Sequence, residues 1–315
     1  MSSDDAVRAT NDDAASCKRF AVQKGYWSDP YIQYFVRNTE RKAPEISIGY
    51  YARVKGVKLL LDKFLQLTQC NCQVVNFGAG FDTLYWRLAE EGHVPKSYVE
   101  VDFHSVTSKK CHAIKTKKQL LEKIATEDGE IRFNEFDLHA ANYHIVAADL
   151  RNLDELKSKL HDSNIDFGLP TLFMAECVLV YMELDKSTNL VKWIADSFQT
   201  TFFINYEQVN MADRFGQVMI QNLKSRQCLL PGVEVCSSLE TQKNRFLSNG
   251  WEYCECLEMT AVYQNLPHAE VKRIERLEFL DEKELLTQLF QHYCLCWALK
   301  DPKNIGLDAI DCVPT

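Results

Sequence analysis

No apolar stretch in this chain approaches the roughly 20 residues that a membrane-spanning helix needs. The N-terminus carries no apolar run that could act as a secretory signal. Positive charge is not in excess: 36 Lys and Arg stand against 44 Asp and Glu, a net charge of −8 over 315 residues. No basic face is forced, so nucleic acid is a poor partner for it. No segment is of low complexity, and nothing repeats internally. None of the eight histidines stands in a distinctive motif. The twelve cysteines lack the usual zinc spacing of about two to four intervening residues. Three pairs, Cys70/Cys72, Cys254/Cys256 and Cys294/Cys296, are separated by a single residue. In a strand, that spacing puts both thiols on one sheet face, where they pack as small apolar groups. These absences predict a cytoplasmic protein with reduced thiols, no membrane contact and no metal.

What is present is the composition of a globular protein with a substantial core, 46% apolar and 25% charged. The length is long for one minimal domain and short for two full ones. The most informative stretch is Gln73-Val74-Val75-Asn76-Phe77-Gly78-Ala79-Gly80-Phe81-Asp82-Thr83. An apolar β-branched run ends on Gly-Ala-Gly, and an amphipathic segment with Leu84 and Leu88 follows. That reads as a buried strand, a turn needing close backbone approach, and a helix start. Such a turn sets helix N-terminal N–H groups against a ligand. It lacks the third glycine of the dinucleotide fingerprint and the lysine of the phosphate-binding loop. A tight turn without a ligand is the alternative. Glu100 and Asp102, roughly 20 residues on, suit a ribose-binding acid at the next strand end.

Residues 1–16 are small, acidic and unpatterned, and read as a disordered tail. Aromatics are dense from Cys17 to Tyr31, with Pro30 and Pro44 breaking the segment into short helices. Residues 47–67 form an amphipathic helix with Tyr50, Val54, Val57, Leu60, Leu61, Phe64 and Leu65 on its stripe. Arg53 sits at the border of that stripe, and Lys18 reads most simply as a surface charge. Further strands are expected at Ser97–Phe103, Tyr143–Leu150, Pro170–Glu176 and Thr201–Glu207. Helices are expected at 151–161 and near 185–198. Residues 104–142 read as a helix followed by a poorly ordered insert around Glu127-Asp128-Gly129-Glu130. Strands alternating with helices predict an α/β fold with a parallel sheet covered on both faces. Four acids, Asp82, Asp102, Asp149 and Glu176, fall at strand ends or following turns. Buried acids are costly without partners, so a polar or cationic ligand is the economical explanation.

The C-terminal third reads as a helix over 208–228, then a capping box at Ser237-Ser238-Leu239-Glu240 opening a helix closed by Asn249-Gly250. A strand at Trp251–Leu257, a helix over 281–291 opened by Asp281 and Glu284, and a strand at Tyr293–Leu299 follow. The last two strands could form an antiparallel edge on the parallel sheet.

These features together resemble a class I S-adenosylmethionine-dependent methyltransferase. Over roughly residues 17–300 the match is to the leucine carboxyl methyltransferase family. The stretches that carry it are CKRFAVQKGYWSDPYIQYFVR (17–37), RKAPEISIGYYARVKGV (41–57), VNFGAGFDTLYWRL (75–88), YVEVDF (98–103), AADLRNL (147–153), AECVLVYM (175–182) and INYEQVNMADRFGQ (204–217). The resemblance implies a seven-stranded, mostly parallel Rossmann-like sheet with an antiparallel edge, N-terminal helices and a helical lid. It divides the chain after the tail into one methyltransferase domain over 17–315. Within it lie an N-terminal helical cap (17–67), a cofactor-binding core (68–206), a helical lid (207–250) and C-terminal strands completing the sheet (251–300). It implies S-adenosylmethionine as cofactor and, as substrate, the C-terminal leucine of the protein phosphatase 2A catalytic subunit. Methylation of that carboxylate would regulate holoenzyme assembly. Contacts to the phosphatase tail and active-site face, and a monomeric enzyme, are further expectations.

By position, the resemblance places Lys18 and Arg53 in the cofactor pocket, with Gly78 and Gly80 in the turn beside it. Asp102 would hold the ribose, Asp149 and Leu150 flank the adenine, and Glu176 sit by the methionine end. Tyr181 would lie near the substrate opening. Phe77 and Phe81 depart mildly from the family pattern beside the glycines. The implied chemistry agrees with the missing histidine motif. An α-carboxyl group has a pKa of about 3.5 and is already ionised at neutral pH, so no general base is required. What remains is alignment of oxygen, methyl and sulfur, and a cation for the substrate carboxylate, supplied by Arg53 or Lys18. A methyltransferase of another substrate such as tRNA is the alternative, and a non-enzymatic binding module on the same fold is a second. A nicotinamide dehydrogenase is disfavoured by the missing third glycine.

Overall fold

The strands form in chain order as β1 (Gln73–Phe77), β2 (Ser97–Asp102), β3 (Arg132–Phe133), β4 (Leu138–His139), β5 (Tyr143–Ala147), β6 (Thr171–Glu176), β7 (Thr201–Gln208), β8 (Tyr253–Glu258) and β9 (Tyr293–Lys300). The structure is a computed structural model and describes residues 3–37, 39–125 and 129–314. One sheet contains all nine strands in the order β3-β4-β5-β2-β1-β6-β7-β9-β8. The five strands from β5 to β7 are parallel, and β9 runs antiparallel between β7 and β8. The seven strands expected from sequence are present, and two-residue strands β3 and β4 extend the far edge antiparallel. The chain leaves β1 for β2 on one side and later returns to β6 on the other. That makes the carboxyl end of β1 the topological switch point, where open α/β sheets bind ligands.

Burial of both faces explains why the central strands read as nearly unbroken apolar runs. Val74, Tyr98, Leu172 and Phe202 face one side. Helices α2 (Pro44–Leu67), α3 (Leu84–Glu91), α4 (His104–Thr116) and α5 (Lys118–Ile124) cover that side, joined by α10 (Met259–Asn265), α11 (His268–Ile274) and α12 (Lys283–Gln291). Val75, Val99, Phe173 and Phe203 face the other, under α6 (Leu153–Asp162), α7 (Leu184–Ser197) and α9 (Leu239–Leu247). A third, smaller cluster joins Val180, Met211, Leu230 and Cys236 to one face of α8 (Arg214–Ser225). Cys254, Cys256, Cys294 and Cys296 are buried on the second face, whereas Cys70 and Cys72 lie in the turn before β1, outside any strand.

Several expectations are corrected. The tail expected to be disordered over 1–16 is helical from Ser3 onward, within α1 (Ser3–Gln23). Asp4 and Asp5 in its first turn complement the helix dipole. Pro44 does not break a helix but opens α2 at the first turn, where a missing N–H costs nothing. The region 104–142 holds α4, α5, β3 and β4, while Glu127 and Asp128 of the expected insert lie outside the described residues. The strand expected to reach Leu150 ends at Ala147, and α6 starts at Leu153 with Asn152 accepting the Glu155 N–H. The helix expected over 208–228 shrinks to α8, because β7 continues to Gln208 and Asp213 caps the helix through the Gly216 N–H. The capping box of α9 pairs Ser238 with Thr241. No side-chain cap forms at the start of α12, where Asp281 and Glu284 were expected to make one.

Candidate active site

The backbone leaves β1 through two glycines in the left-handed region, Gly78 at φ +59° and Gly80 at φ +52°. A Cβ at Gly78 would lie 2.6 Å from Val178 Cγ2, and one at Gly80 2.3 Å from Asn11 Oδ1. Conformation and close approach both demand glycine here. The turn is tied to the next strand through Asp102. The Gly80 N–H donates to Asp102 Oδ2 at 2.7 Å, and the Phe103 N–H to Oδ1 at 2.7 Å. Burial pushes the Asp102 carboxyl up, against the pull of those two N–H groups. Phe77 packs on Phe173 at 5.6 Å on the second sheet face, and Phe81 stacks on Phe35 at 5.8 Å. Both aromatics beside the glycines thus pack on other rings, and Phe81 also lines the cavity.

Asp82 opens α3, accepting the Leu84 N–H at 2.5 Å, and receives Lys18 Nζ at 3.4 Å. Burial alone would raise its carboxyl, but Lys18, then Arg87 and Lys110, draw it down to about 2. Glu176, at the end of β6, is held by two cations on one oxygen. Arg53 Nε lies 2.5 Å from its Oε2 and Lys18 Nζ 4.0 Å away. Arg53 Nη2 also donates to the Glu176 carbonyl at 3.3 Å. The guanidinium stands 4.7 Å from the centre of the Tyr206 ring and 5.6 Å from that of Tyr50. Such stacking favours arginine over lysine. Beyond Glu176 the chain turns through Cys177, at φ +57°, into the short turn carrying Tyr181.

Asp149, after β5, is gripped by Arg151, with Nε to Oδ1 at 2.9 Å and Nη2 to Oδ2 at 2.7 Å. Its carboxyl falls below the usual range because Arg151 outweighs the effect of burial. The same guanidinium makes two bonds to Asp4 of α1, at 3.0 and 2.9 Å. Helix α1 therefore lies along the site. Its Arg8 stands 5.0 Å above the Phe103 ring, and its Asn11 Oδ1 accepts the Phe81 N–H at 2.8 Å. The acids expected to await a polar or cationic ligand thus already have partners inside the chain.

Lys18, Arg53, Gly78, Gly80, Asp102, Asp149, Leu150, Glu176 and Tyr181 all line one cavity of about 630 Å³. Sequence reading singled out each of these. It missed Asp4, Arg8 and Asn11 of α1, together with Arg151, Tyr206, Gln208 and Tyr293, which line the same cavity. The signal for α1 was the spacing of Asp4, Arg8, Asn11, Ala15 and Lys18, one face of a helix. That face is polar, so no apolar stripe announced it.

The profile of the leucine carboxyl methyltransferase family matches residues 6–195. The cow protein named leucine carboxyl methyltransferase 1 is 54% identical over 310 residues, covering 98% of this chain and 93% of its own. The chain belongs to the leucine carboxyl methyltransferase family. The Caenorhabditis elegans member is 45% identical, covering 94% of this chain and 91% of its own. Human tRNA wybutosine-synthesizing protein 4 is 34% identical over 91% of this chain but only 43% of its own. Among solved structures, a Thermobifida fusca protein assigned to the methyltransferases shares the fold, with TM-score 0.52, 13% identity and coverage of 85% and 92%. As a leucine carboxyl methyltransferase the protein is an enzyme with a class I methyltransferase sheet, and the methyl donor of the family is S-adenosylmethionine. The residues present fit that group. The two glycines present bare backbone in the cavity wall. The remaining capacity of Asp102 can accept ribose hydroxyls, and Glu176 can pair with an ammonium while Lys18 and Arg53 meet carboxylates. No helix of the described residues is long and apolar enough to cross a membrane.

Proposed function

We propose that this protein esterifies the α-carboxylate of the C-terminal leucine of the protein phosphatase 2A catalytic subunit, and so regulates assembly of the phosphatase holoenzyme. The observation that carries the reading is the pair of part-buried cations, Lys18 and Arg53, meeting at Glu176 beside the Gly78–Gly80 turn. S-adenosylmethionine supplies a methyl group on a positively charged sulfur. Asp102 accepts the ribose hydroxyls, and Asp149 and Leu150 border the adenine. Glu176 holds the ammonium of the methionine end. Lys18 and Arg53 offset the repulsion between the cofactor and substrate carboxylates. They must orient the attacking oxygen without holding it so tightly that ground-state binding cancels the gain. Tyr181 lines the wall on the substrate side. No residue needs to remove a proton, since a terminal carboxylate is already ionised near pH 7.

A tail pocket alone is too small a surface for stable recognition of a folded protein, which buries about 1,200–2,000 Å². The lid around α8 and the active-site face of the phosphatase supply the rest. The test is transfer of labelled methyl from S-adenosylmethionine to purified phosphatase with and without its terminal leucine. Label on the intact protein alone supports the proposal. Equal label on both, or preferential label on tRNA, would remove it.

A further inference from the structure

We propose that the side-chain amide of Gln208 reads the last peptide bond of the substrate, so that the site selects a peptide carboxylate over a free carboxylic acid. The inference deepens the function proposed above and rests on it. Gln208 is the last residue of β7, is 2% exposed and lines the cavity. Its Oε1 is buried without a hydrogen-bond partner. Among the described residues, only Arg8 and Gln208 both line the cavity and carry such an orphaned atom, and only that of Gln208 is an acceptor. A buried carbonyl left unpaired is unfavourable, so a donor brought by the ligand would be favoured there.

The backbone around this residue is fixed. Its N–H donates to Glu207 Oε1 at 3.2 Å, its carbonyl accepts Gln242 Nε2 at 2.8 Å, and it pairs with Tyr293 of β9. The terminal torsion of glutamine is broad, so turning the oxygen toward the cavity costs little.

Position then selects the ligand group. Side chains 206 and 208 share one face of β7, roughly 6.8 Å apart along the strand. The Tyr206 ring carries the Arg53 guanidinium at 4.7 Å. Gln208 is therefore one side-chain step outward from the cation that meets the substrate carboxylate. In a peptide the last N–H lies roughly 2.5 Å from the carboxyl carbon. An N–H···O bond adds about 2.9 Å, so the amide reaches an acceptor placed one such step away.

Gln208→Met keeps the shape and removes both polar atoms. It should raise KM for the phosphatase about tenfold, the loss of one hydrogen bond. kcat should stay within about threefold, and calorimetric affinity for S-adenosylhomocysteine should be unchanged. A leucine-ended tail peptide with its last amide replaced by an ester should bind the unaltered protein about tenfold more weakly than the amide peptide, a measurement that needs no variant to fold. The same replacement should cost Gln208→Met nothing further. An unchanged KM, a parallel loss of S-adenosylhomocysteine affinity, or an equal ester penalty in both proteins would overturn the inference. An unaltered protein that fails to methylate phosphatase overturns the function proposed above, and this reading with it.

Discussion

Replacing Arg53 by lysine separates charge from geometry at the centre of the site. A guanidinium carries five N–H donors. One donates to Glu176 Oε2 and one to the Glu176 carbonyl, which leaves three for a substrate carboxylate. A lysine ammonium has three donors in all. After pairing with Glu176 it presents a point charge with no planar fork, and it loses the stack on Tyr206. One charge-assisted hydrogen bond lost in the transition state is worth about 1.5–3 kcal/mol, a fall of roughly 10–150-fold in kcat/KM. Stability should change little, because the substituted ammonium would keep the pair with Glu176 and lose only the carbonyl bond, about 1 kcal/mol. In a domain of this size that shifts melting by at most about 4 °C. Arg53→Met behaves differently. Glu176 then keeps only Lys18 at 4.0 Å, and the weakened pairing of this part-buried carboxylate should cost about 1–3 kcal/mol. Adding Glu176→Gln should restore most of that stability and none of the turnover. The assays are labelled methyl transfer to phosphatase and thermal melting of the protein alone. Near-normal methylation by Arg53→Lys, or recovery of activity in the Arg53→Met/Glu176→Gln double variant, would take Arg53 out of the mechanism.

Asp102→Ala should weaken S-adenosylhomocysteine binding by about 100-fold and also cost about 1–2 kcal/mol of stability, because the Gly80 and Phe103 N–H groups lose their acceptor. Unaltered affinity in calorimetry would show that Asp102 serves the turn alone. The carboxyl of Asp82 is depressed from 3.8 to about 2 in the folded chain. Its contribution to stability is therefore present above about pH 4 and lost as pH falls through 2. Lys18→Met should move the acid-unfolding midpoint to higher pH, and an unmoved midpoint would deny Lys18 that role. Arg151→Gln releases the clasp on Asp4, a partly exposed pair worth about 1 kcal/mol, so amide exchange in the first turns of α1 should quicken about fivefold. Exchange at the original rate would mean that other contacts hold the helix.

How much could be read in the sequence depended on what each segment packs against. Strands β1, β2, β6 and β7 were legible because apolar layers cover both faces and an acid or glycine marks each end. The strands β3 and β4 were not, since two residues are too short to show a period. Helix α1 was mistaken for a disordered tail because its inward face meets a polar cavity. Asp4, Arg8, Asn11 and Lys18 stand where a core helix would carry leucine. Gln208 was invisible for a related reason: it was read as the first residue of the helix expected over 208–228, whereas it is the last residue of β7. Lys18 and Arg53 could be assigned to the site only through family resemblance, because periodicity alone makes one a surface charge and the other a helix-border residue.

The acids at the strand ends show why such a site resists reading from composition. Unpartnered, they would have pointed to a polar or cationic ligand. In the folded chain each group divides its capacity. Asp102 gives one lone pair of each oxygen to a backbone N–H and keeps others. Glu176 meets both cations through Oε2, leaving Oε1 for a further donor. Arg53 uses two of its donors on Glu176 and retains the rest. One part of each group fixes its orientation before any ligand arrives, and the other part makes the bond. That is electrostatic preorganisation: little reorientation remains when the ligand binds. It follows that substitutions in this cluster should lower stability and binding together, whereas Gln208, with its side-chain oxygen unpaired in the protein, should affect binding alone.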